Sequence, residues 1–423
     1  MTMKKLRLLA SWNMSFHWFT LGIIIPVMTL FLLEKGLSLA QVGITFASYG
    51  AATVLLELPT GGLADALGRK KVYIYSLLFQ ITGALLVLFV NSLPALMICF
   101  IFQGVARSLS SGTMDAHFID EFYRIDPVVN LQKEMARIGT FIPLGLGIGS
   151  LLGGFIPMAL GKWTSQGIFN SVYASNYIIF IIALIVQLIT TSLLVHEKQP
   201  DGEEAGLAAG FRKIPEVVGT SVKYGLGHPV LLLLLLATFA WGFSISGLEQ
   251  LWQPRVQAIA GDGTGSWIYG LLTTGYFLAA SVGSLVSIPF CRLFGDRYHL
   301  ALFTARTLMG SLYFILAYQS GLIPFAFFYF TLFLFNGVQS SPESSIFNES
   351  VPSEKRSTLL SFSSLFMQTG GIAGSVALAF LAETYYIGRA WIVASIVIIL
   401  SAALYLLIPY YQKKHAGGLN SEF

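Results

Sequence analysis

Long apolar runs alternate with short polar interruptions along the chain, and the runs are longer than the buried helices of a water-soluble domain require. They cover residues 8–33, 41–66, 72–92, 94–118, 135–160 and 171–195, then 229–254, 265–290, 299–320, 322–347, 358–382 and 387–411. A hydrocarbon core about 30 Å thick takes roughly 20 helical residues at about 1.5 Å of rise each, so every run predicts one membrane-spanning helix. Twelve spans in two sets of six follow. The first run is too long for a signal-peptide core and lacks a small-residue cleavage site, so it counts as a span. Between the sets, His196 to His228 is the longest polar stretch and carries Glu197, Lys198, Asp201, Glu203, Glu204, Arg212 and Lys213. The expected organisation is an N-terminal bundle over 1–195, a linker over 196–228 and a C-terminal bundle over 229–416. Residues 417–423 read as an expression remnant. Within the linker, Leu207, Phe211, Ile214, Val217 and Val218 suit either an amphipathic helix on the membrane surface or a flexible tether.

Composition sharpens this picture. The 423 residues are 55% hydrophobic and 11% charged, against roughly 25% charged in a soluble domain. The net charge of +4 is read as topology, because basic residues hold loops on the cytoplasmic side. With a cytoplasmic N-terminus, nineteen basic residues fall on that side: Lys4, Lys5, Arg7, Arg69, Lys70, Lys71, Arg124, Lys133, Arg137, Lys198, Arg212, Lys213, Lys223, Arg292, Arg297, Lys355, Arg356, Lys413 and Lys414. Four fall on the other, Lys35, Lys162, Arg255 and Arg389. Both termini and the linker are therefore expected in the cytoplasm and the spans in the plasma (inner) membrane. Cys99 and Cys291 sit inside apolar runs and read as small buried hydrophobes, with no disulfide framework or metal motif.

The halves resemble each other where Thr-Met-Asp-Ala-His-Phe-Ile-Asp-Glu at 113–121 matches Ser-Pro-Glu-Ser-Ser-Ile-Phe-Asn-Glu at 341–349. Parallel six-helix repeats are one known transporter plan, with the solute site near the midplane between halves. At the end of the second run, Gly61-Gly-Leu-Ala-Asp-Ala-Leu-Gly-Arg-Lys-Lys71 resembles the loop 2–3 signature of the major facilitator superfamily. A degenerate copy, Arg292-Leu-Phe-Gly-Asp-Arg297, follows helix eight. Gly145-Leu-Gly-Ile-Gly-Ser-Leu-Leu-Gly-Gly154 in helix five is similar to the glycine-rich signature of the superfamily's drug:proton antiporter branch, with Ser150 where a proline usually follows Gly149. Gln103-Gly104 is present in helix four, but Phe100 stands at that motif's usual arginine and Arg107 lies seven residues on.

The resemblance implies an all-α integral membrane fold, two six-helix bundles related by a pseudo-two-fold axis along the membrane normal. It also implies that helices one, four, seven and ten line the cavity. Gly62, Asp65, Gly68, Arg69 and Asp120 would form a cytoplasmic latch, Asp65 against the N-terminus of helix eleven near Ser357 and Thr358, Arg69 against Asp120. The helix-five glycines Gly145, Gly149, Gly153 and Gly154 read as close helix contact and a bending point at the seam between bundles, or as ordinary small-residue packing.

An ionisable group inside a span costs about 2.5–3.5 kcal/mol on insertion scales, so each needs a partner, water or a function. Such groups are Glu57, Arg107, Asp115, Glu249, Arg306 and Glu343. Arg107, Ser111 and Asp115 follow one another at four-residue spacing and would share one helix face. Glu57 or Asp115, modulated by Arg107, is the expected proton-coupling site; a static ion pair is the alternative. Polar residues expected on the solute path are Asn13 and His17, Glu249, Gln250 and Gln253, and Asn336, Gln339 and Glu343. His17 suits a proton carrier or a hydrogen-bonded core residue. Glu249, near Pro254, suits an outer gate or recognition of a cation.

No nucleophile elbow, paired metal-ligand motif or phosphate loop argues for an enzyme. The expectation is a secondary active transporter, directed toward proton-coupled export of drug-like or amphipathic molecules by alternating access. It would work as a monomer, with the proton gradient as energy source, no cofactor and no nucleic-acid partner. A proton-coupled importer or uniporter of a metabolite, or a dedicated lipid or siderophore exporter, stays open, since fold alone does not choose among them.

Overall fold

The computed structural model describes residues 2–197, 219, 226–261, 265–351 and 356–418, except the side chains of 58, 59, 61, 62, 65, 66, 356–358 and 413–418. The regular elements among these residues are helices: α1 (Met3–Ile24), α2 (Met28–Glu34), α3 (Leu39–Leu67), α4 (Arg69–Phe89), α5 (Leu93–Ser110), α6 (Thr113–Ile125), α7 (Leu131–Gly139), α8 (Phe141–Ser165), α9 (Ala174–Leu194), α10 (Pro229–Ala260), α11 (Trp267–Leu293), α12 (Tyr298–Ala317), α13 (Leu322–Glu349), α14 (Arg356–Thr384) and α15 (Ile387–Gly418). Twelve segments are long and apolar enough to cross a membrane, so the predicted all-α integral membrane class holds. The amphipathic reading of 207–218 and the tail 419–423 lie outside the described residues.

Three expected spans are bent rather than straight. The first parts into α1 and α2 at Ile25 to Val27, where Pro26 supplies no N–H for the helical ladder. The fifth turns at Thr140, between α7 and α8. The fourth breaks at Ser111 and Gly112, where Gly112 takes the left-handed conformation (φ +65°) that other residues adopt only with strain.

Packing divides the chain into two compact units, Met1–Ile214 with Gly263–Thr274, and Pro215–Asp262 with Gly275–Phe423. The two follow one plan. In the first, α1 packs on α8 and α9, and α4 on α5 and α9; in the second, α10 packs on α14 and α15, and α12 on α13 and α15. Counting bent spans as one, these are the pairings of helices one with five and six and three with four and six, repeated six helices later.

Glycines make the tightest of these crossings in both units. A Cβ on Gly145, Gly149 or Gly153 would strike the carbonyls of Ser15, Phe19 and Ile23 on α1. Four-residue spacing on both helices puts each glycine over one turn of its partner. In the second unit Gly370 and Gly374 meet the carbonyls of Phe239 and Phe243 in the same way. Without a hydrophobic force between helices in lipid, such backbone approach is what packs spans together. Asn176 fastens the first crossing, its amide donating to Ile23 O at 2.9 Å and Gly153 O at 2.7 Å.

Candidate functional site

The second unit holds a cavity of about 320 Å³ lined by side chains of α10, α12, α13 and α14. Its walls include Leu234, Trp241, Phe347, Leu360 and Met367. Its charged residues are Arg306 and Glu343. Arg306 comes from α12 and is fully buried, at 0% exposure. Its Nη1 donates to Ala237 O at 2.5 Å and to Ser401 Oγ at 3.3 Å, and its Nε donates to Gln339 Oε1 at 3.0 Å. Nη2 lies 3.4 Å from both carboxylate oxygens of Glu343. Tyr405 also donates to that carboxylate, at 3.1 Å, while its ring lies 5.2 Å from the guanidinium carbon. One buried cation thus ties α10, α12, α13 and α15 together. A charge in so dry a place needs a full set of partners, and Arg306 has them.

Asn336, Gln339 and Glu343 all line this cavity. Asn336 Oδ1 accepts from Trp241 Nε1 at 2.8 Å and from Gln339 Nε2 at 3.0 Å, which fixes the indole on the wall. The residues of α10 divide. Glu249 is exposed. Gln250 and Gln253 are instead buried in the bundle, Gln250 donating to Ser375 on α14 and Gln253 at 2% exposure. Both lie on the face of α10 that packs in the bundle and not in the wall of the cavity.

In the first unit Asn13 likewise turns inward, at 2% exposure. Its amide donates to Thr191 Oγ1 at 3.0 Å, and its backbone carbonyl accepts from Gln187 at 3.2 Å. In this structure it ties α1 to α9. His17 is half-buried, with Nδ1 3.1 Å from Tyr73 Oη, which also accepts from Gln187 Nε2 at 3.2 Å.

The expected stripe of Arg107, Ser111 and Asp115 does not form on one helix. Arg107 is exposed in the last turn of α5, and Asp115 is half-buried in the first turn of α6. The left-handed Gly112 between them breaks the helical phase on which four-residue spacing depends. Asp115 instead sits in the first turn of α6. Glu57 is half-buried within α3, which runs on past it to Leu67.

At the junction of α3 and α4, Arg69 Nη1 reaches Asp120 Oδ2 at 2.5 Å. Glu197, assigned by sequence to the linker, belongs to this cluster. Its carboxylate accepts the backbone N–H groups of Arg69 (2.8 Å) and Lys70 (2.9 Å), the first two of α4. It thereby caps a helix that has no cap of its own. Gly68, at φ +92°, holds a conformation that other residues adopt only with strain, and a Cβ there would also push back the tip of Glu197, whose Oε2 would lie 2.7 Å away. His117 Nδ1 is 3.8 Å from Glu197 Oε1. The surroundings of Gly62 and the side chains of Asp65, Ser357 and Thr358 lie outside what is described.

The helix-five glycines act mainly within the first unit. Gly145, Gly149 and Gly153 face α1, as above, and Gly154 faces Gly270 at the start of α11, in the 263–274 segment grouped with that unit. Sequence reasoning missed Glu197, Trp241, Thr238 and Tyr405. For Tyr405 the available signal was Arg306, an intramembrane cation in need of partners; for Glu197 there was none.

The family model for the Major Facilitator Superfamily matches residues 10–261 and again 257–421. An uncharacterized MFS-type transporter of Bacillus subtilis, YxaM, is 22% identical over 92% of this chain and 92% of its own length. A similar transporter of Methanocaldococcus jannaschii is 26% identical, but the match spans 32% of this chain and 34% of that protein. Quinolone resistance protein NorA of Staphylococcus aureus is 22% identical over 61% of this chain and 62% of its own. Among solved structures, the nucleoside transporter NupG superposes with a TM-score of 0.76 at 13% identity, covering 95% of this chain and 98% of that one. A bacterial homolog of the human lysosomal transporter Spinster, inward-facing and unoccupied, gives 0.76 at 12% identity over 97% of both chains. The chain belongs to the major facilitator superfamily, and is a multi-pass secondary transporter of small molecules that works by alternating access.

Proposed function

We propose that the protein exports amphipathic small molecules in exchange for protons. The observation that carries this reading is the cavity of the second unit, where Leu234, Trp241, Phe347, Leu360 and Met367 supply apolar surface beside polar side chains and the Arg306–Glu343 pair. A solute with an apolar body and a polar end matches such a surface, the body against Trp241, Phe347 and Met367 and the polar end against the side chains of α13. The similarity to a quinolone resistance protein supports outward transport, since a transporter confers resistance by removing the drug.

Glu57 and Asp115, with Arg107 nearby in sequence, are the coupling groups in this reading. The Arg69 to Asp120 ion pair, with Gly62, Asp65 and Gly68, serves as the latch of one conformational state. The protein lies in the plasma membrane as a monomer, both termini cytoplasmic, and the proton gradient supplies the energy without a cofactor.

The test is flux of a panel of amphipathic amines, acids and neutral compounds in proteoliposomes, with a pH gradient imposed in each direction. Extrusion coupled to proton entry, weakened in Glu57→Gln or Asp115→Asn, is the expected result. Accumulation of solute together with protons would instead assign import, and flux of every compound without regard to the gradient would overturn proton coupling.

A further inference from the structure

Glu134, the carboxylate of α7, serves two arginines at once. Arg7 of α1 reaches it through Nε, 2.5 Å from Oε2, and through Nη2, 2.8 Å from Oε1. Arg137, three residues further along α7, donates from Nη1 to Oε1 at 3.1 Å. The Glu134 side chain is 8% exposed, whereas those of Arg7 and Arg137 keep 32% and 47% of their surface open. One buried negative charge thus fixes two positive ones at the surface. A guanidinium carries five N–H donors, so Arg7 Nη1 and Arg137 Nη2 retain donors that no acceptor among the described residues takes up.

The neighbouring positions add charge of the same sign. Lys4 and Lys5 on α1 and Lys133 on α7 are exposed. Of the acids on segment 121–134, Glu121 pairs with Arg124, Asp126 accepts the Val128 N–H at 3.1 Å, and Glu134 is taken up as above. Deeper along the same helices the surface turns apolar, with Leu8 and Trp12 on α1 and Phe141 and Leu144 at the start of α8 all exposed. Lys4, Leu8 and Trp12 follow one another at four-residue spacing and so share one face of α1. Fixing topology needs only a charge outside the bilayer, which a solvated lysine supplies. Two guanidiniums pinned on a buried carboxylate above an exposed apolar strip form a built surface.

We propose that this seam between α1 and α7 seats the headgroup phosphate of an anionic phospholipid, whose acyl chains run along Leu8 and Phe141. Guanidinium N–H groups match phosphate oxygens in geometry as well as charge. The surplus of positive charge selects an anionic headgroup over a zwitterionic one. The apolar strip gives the acyl chains a bed that a free phosphate ion has no use for. Bound there, the lipid braces α7 against α1 just ahead of the turn at Thr140, where α7 gives way to α8. The site lies within the first unit, and the proposal needs neither the export reading nor a direction of transport.

The experiment is native mass spectrometry of the full chain in detergent, titrated with phosphatidylglycerol and phosphatidylcholine of identical acyl chains. Phosphatidylglycerol is expected to bind more tightly by at least about fivefold, and Arg137→Gln to lose about that factor, the contribution of one cation at an anionic lipid surface. Lys5→Gln combined with Arg137→Gln should lose more, with phosphatidylcholine binding unaltered throughout. Lys162→Gln, an exposed cation at the other end of the fifth span, should bind both lipids as the unaltered chain does. Arg7 and Glu134 are left in place, because removing either strands its partner. Equal binding of the two lipids, or undiminished phosphatidylglycerol binding in the double variant, would overturn the proposal. Displacement of the lipid by millimolar inorganic phosphate would also overturn it, leaving an anion site without a lipid. If Arg137→Gln fails to fold, Lys4→Gln with Lys5→Gln, which breaks no ion pair, carries the same test.

Discussion

Gly149 of α8 lies so close to Phe19 of α1 that a Cβ would collide with the Phe19 carbonyl oxygen. Backbone cannot yield as the tip of a flexible side chain can, so the first unit depends on the missing methyl group. Gly149→Ala is expected to lower stability by about 1–3 kcal/mol despite alanine's better helix propensity, and Gly149→Val by more. Gly139, at the end of α7, has nothing within 4 Å of its would-be Cβ. Gly139→Ala should be neutral, or stabilising by less than about 1 kcal/mol. Thermal unfolding of the detergent-purified proteins, read by loss of the monodisperse peak, checks the contrast.

Glu197 reaches across the chain to cap α4, and the consequence is local. Removing an N-terminal cap costs about 0.5–2 kcal/mol. Glu197→Ala should accordingly raise hydrogen exchange at the Arg69 and Lys70 amides while leaving the middle of α4 protected. Asp120→Asn, which breaks only the side-chain pair with Arg69, should leave those amides as slow as before. Exchange measured by mass spectrometry on peptides covering 66–80 separates the two.

Much of the fold was written in the hydrophobic pattern, because a helix in lipid must be apolar along its whole length, and the expected runs 41–66 and 387–411 recur as α3 and α15. The bends were less legible. Four-residue spacing from Arg107 to Asp115 assumes unbroken helical phase, and Gly112 could have taken either hand until its surroundings chose the left. Which polar residues face a solute is harder still, since Asn13 and Gln250 each bond a hydroxyl on a helix that sequence does not place beside them. Glu197 shows the same limit, as its partners lie more than a hundred positions away.

Lys133 and Lys162 mark opposite ends of the fifth span and are both exposed. On the proposed topology the first lies in the cytoplasm and the second outside. With Cys99 and Cys291, both buried and unpaired, replaced by serine or alanine, Lys133→Cys should resist a membrane-impermeant maleimide in intact cells and react after lysis. Lys162→Cys should react in intact cells. The reverse pattern would invert the topology.

Arg306 and Glu343 should show strongly unequal effects on stability, although each is the other's counter-charge. Glu343→Gln leaves Arg306 bonded to Ala237, Ser401 and Gln339. Arg306→Gln instead strips a donor from each of those acceptors and leaves the part-exposed Glu343 carboxylate with Tyr405 but no counter-charge, a loss below the roughly 3–5 kcal/mol of breaking a fully buried pair. Adding Glu343→Gln to Arg306→Gln removes the stranded charge, so the double variant should be more stable than Arg306→Gln alone. Thermal unfolding of the three proteins gives the cycle. If the two single changes cost the same and simply add, the pair contributes nothing as a pair, and Arg306 is held in place by its backbone and hydroxyl partners alone.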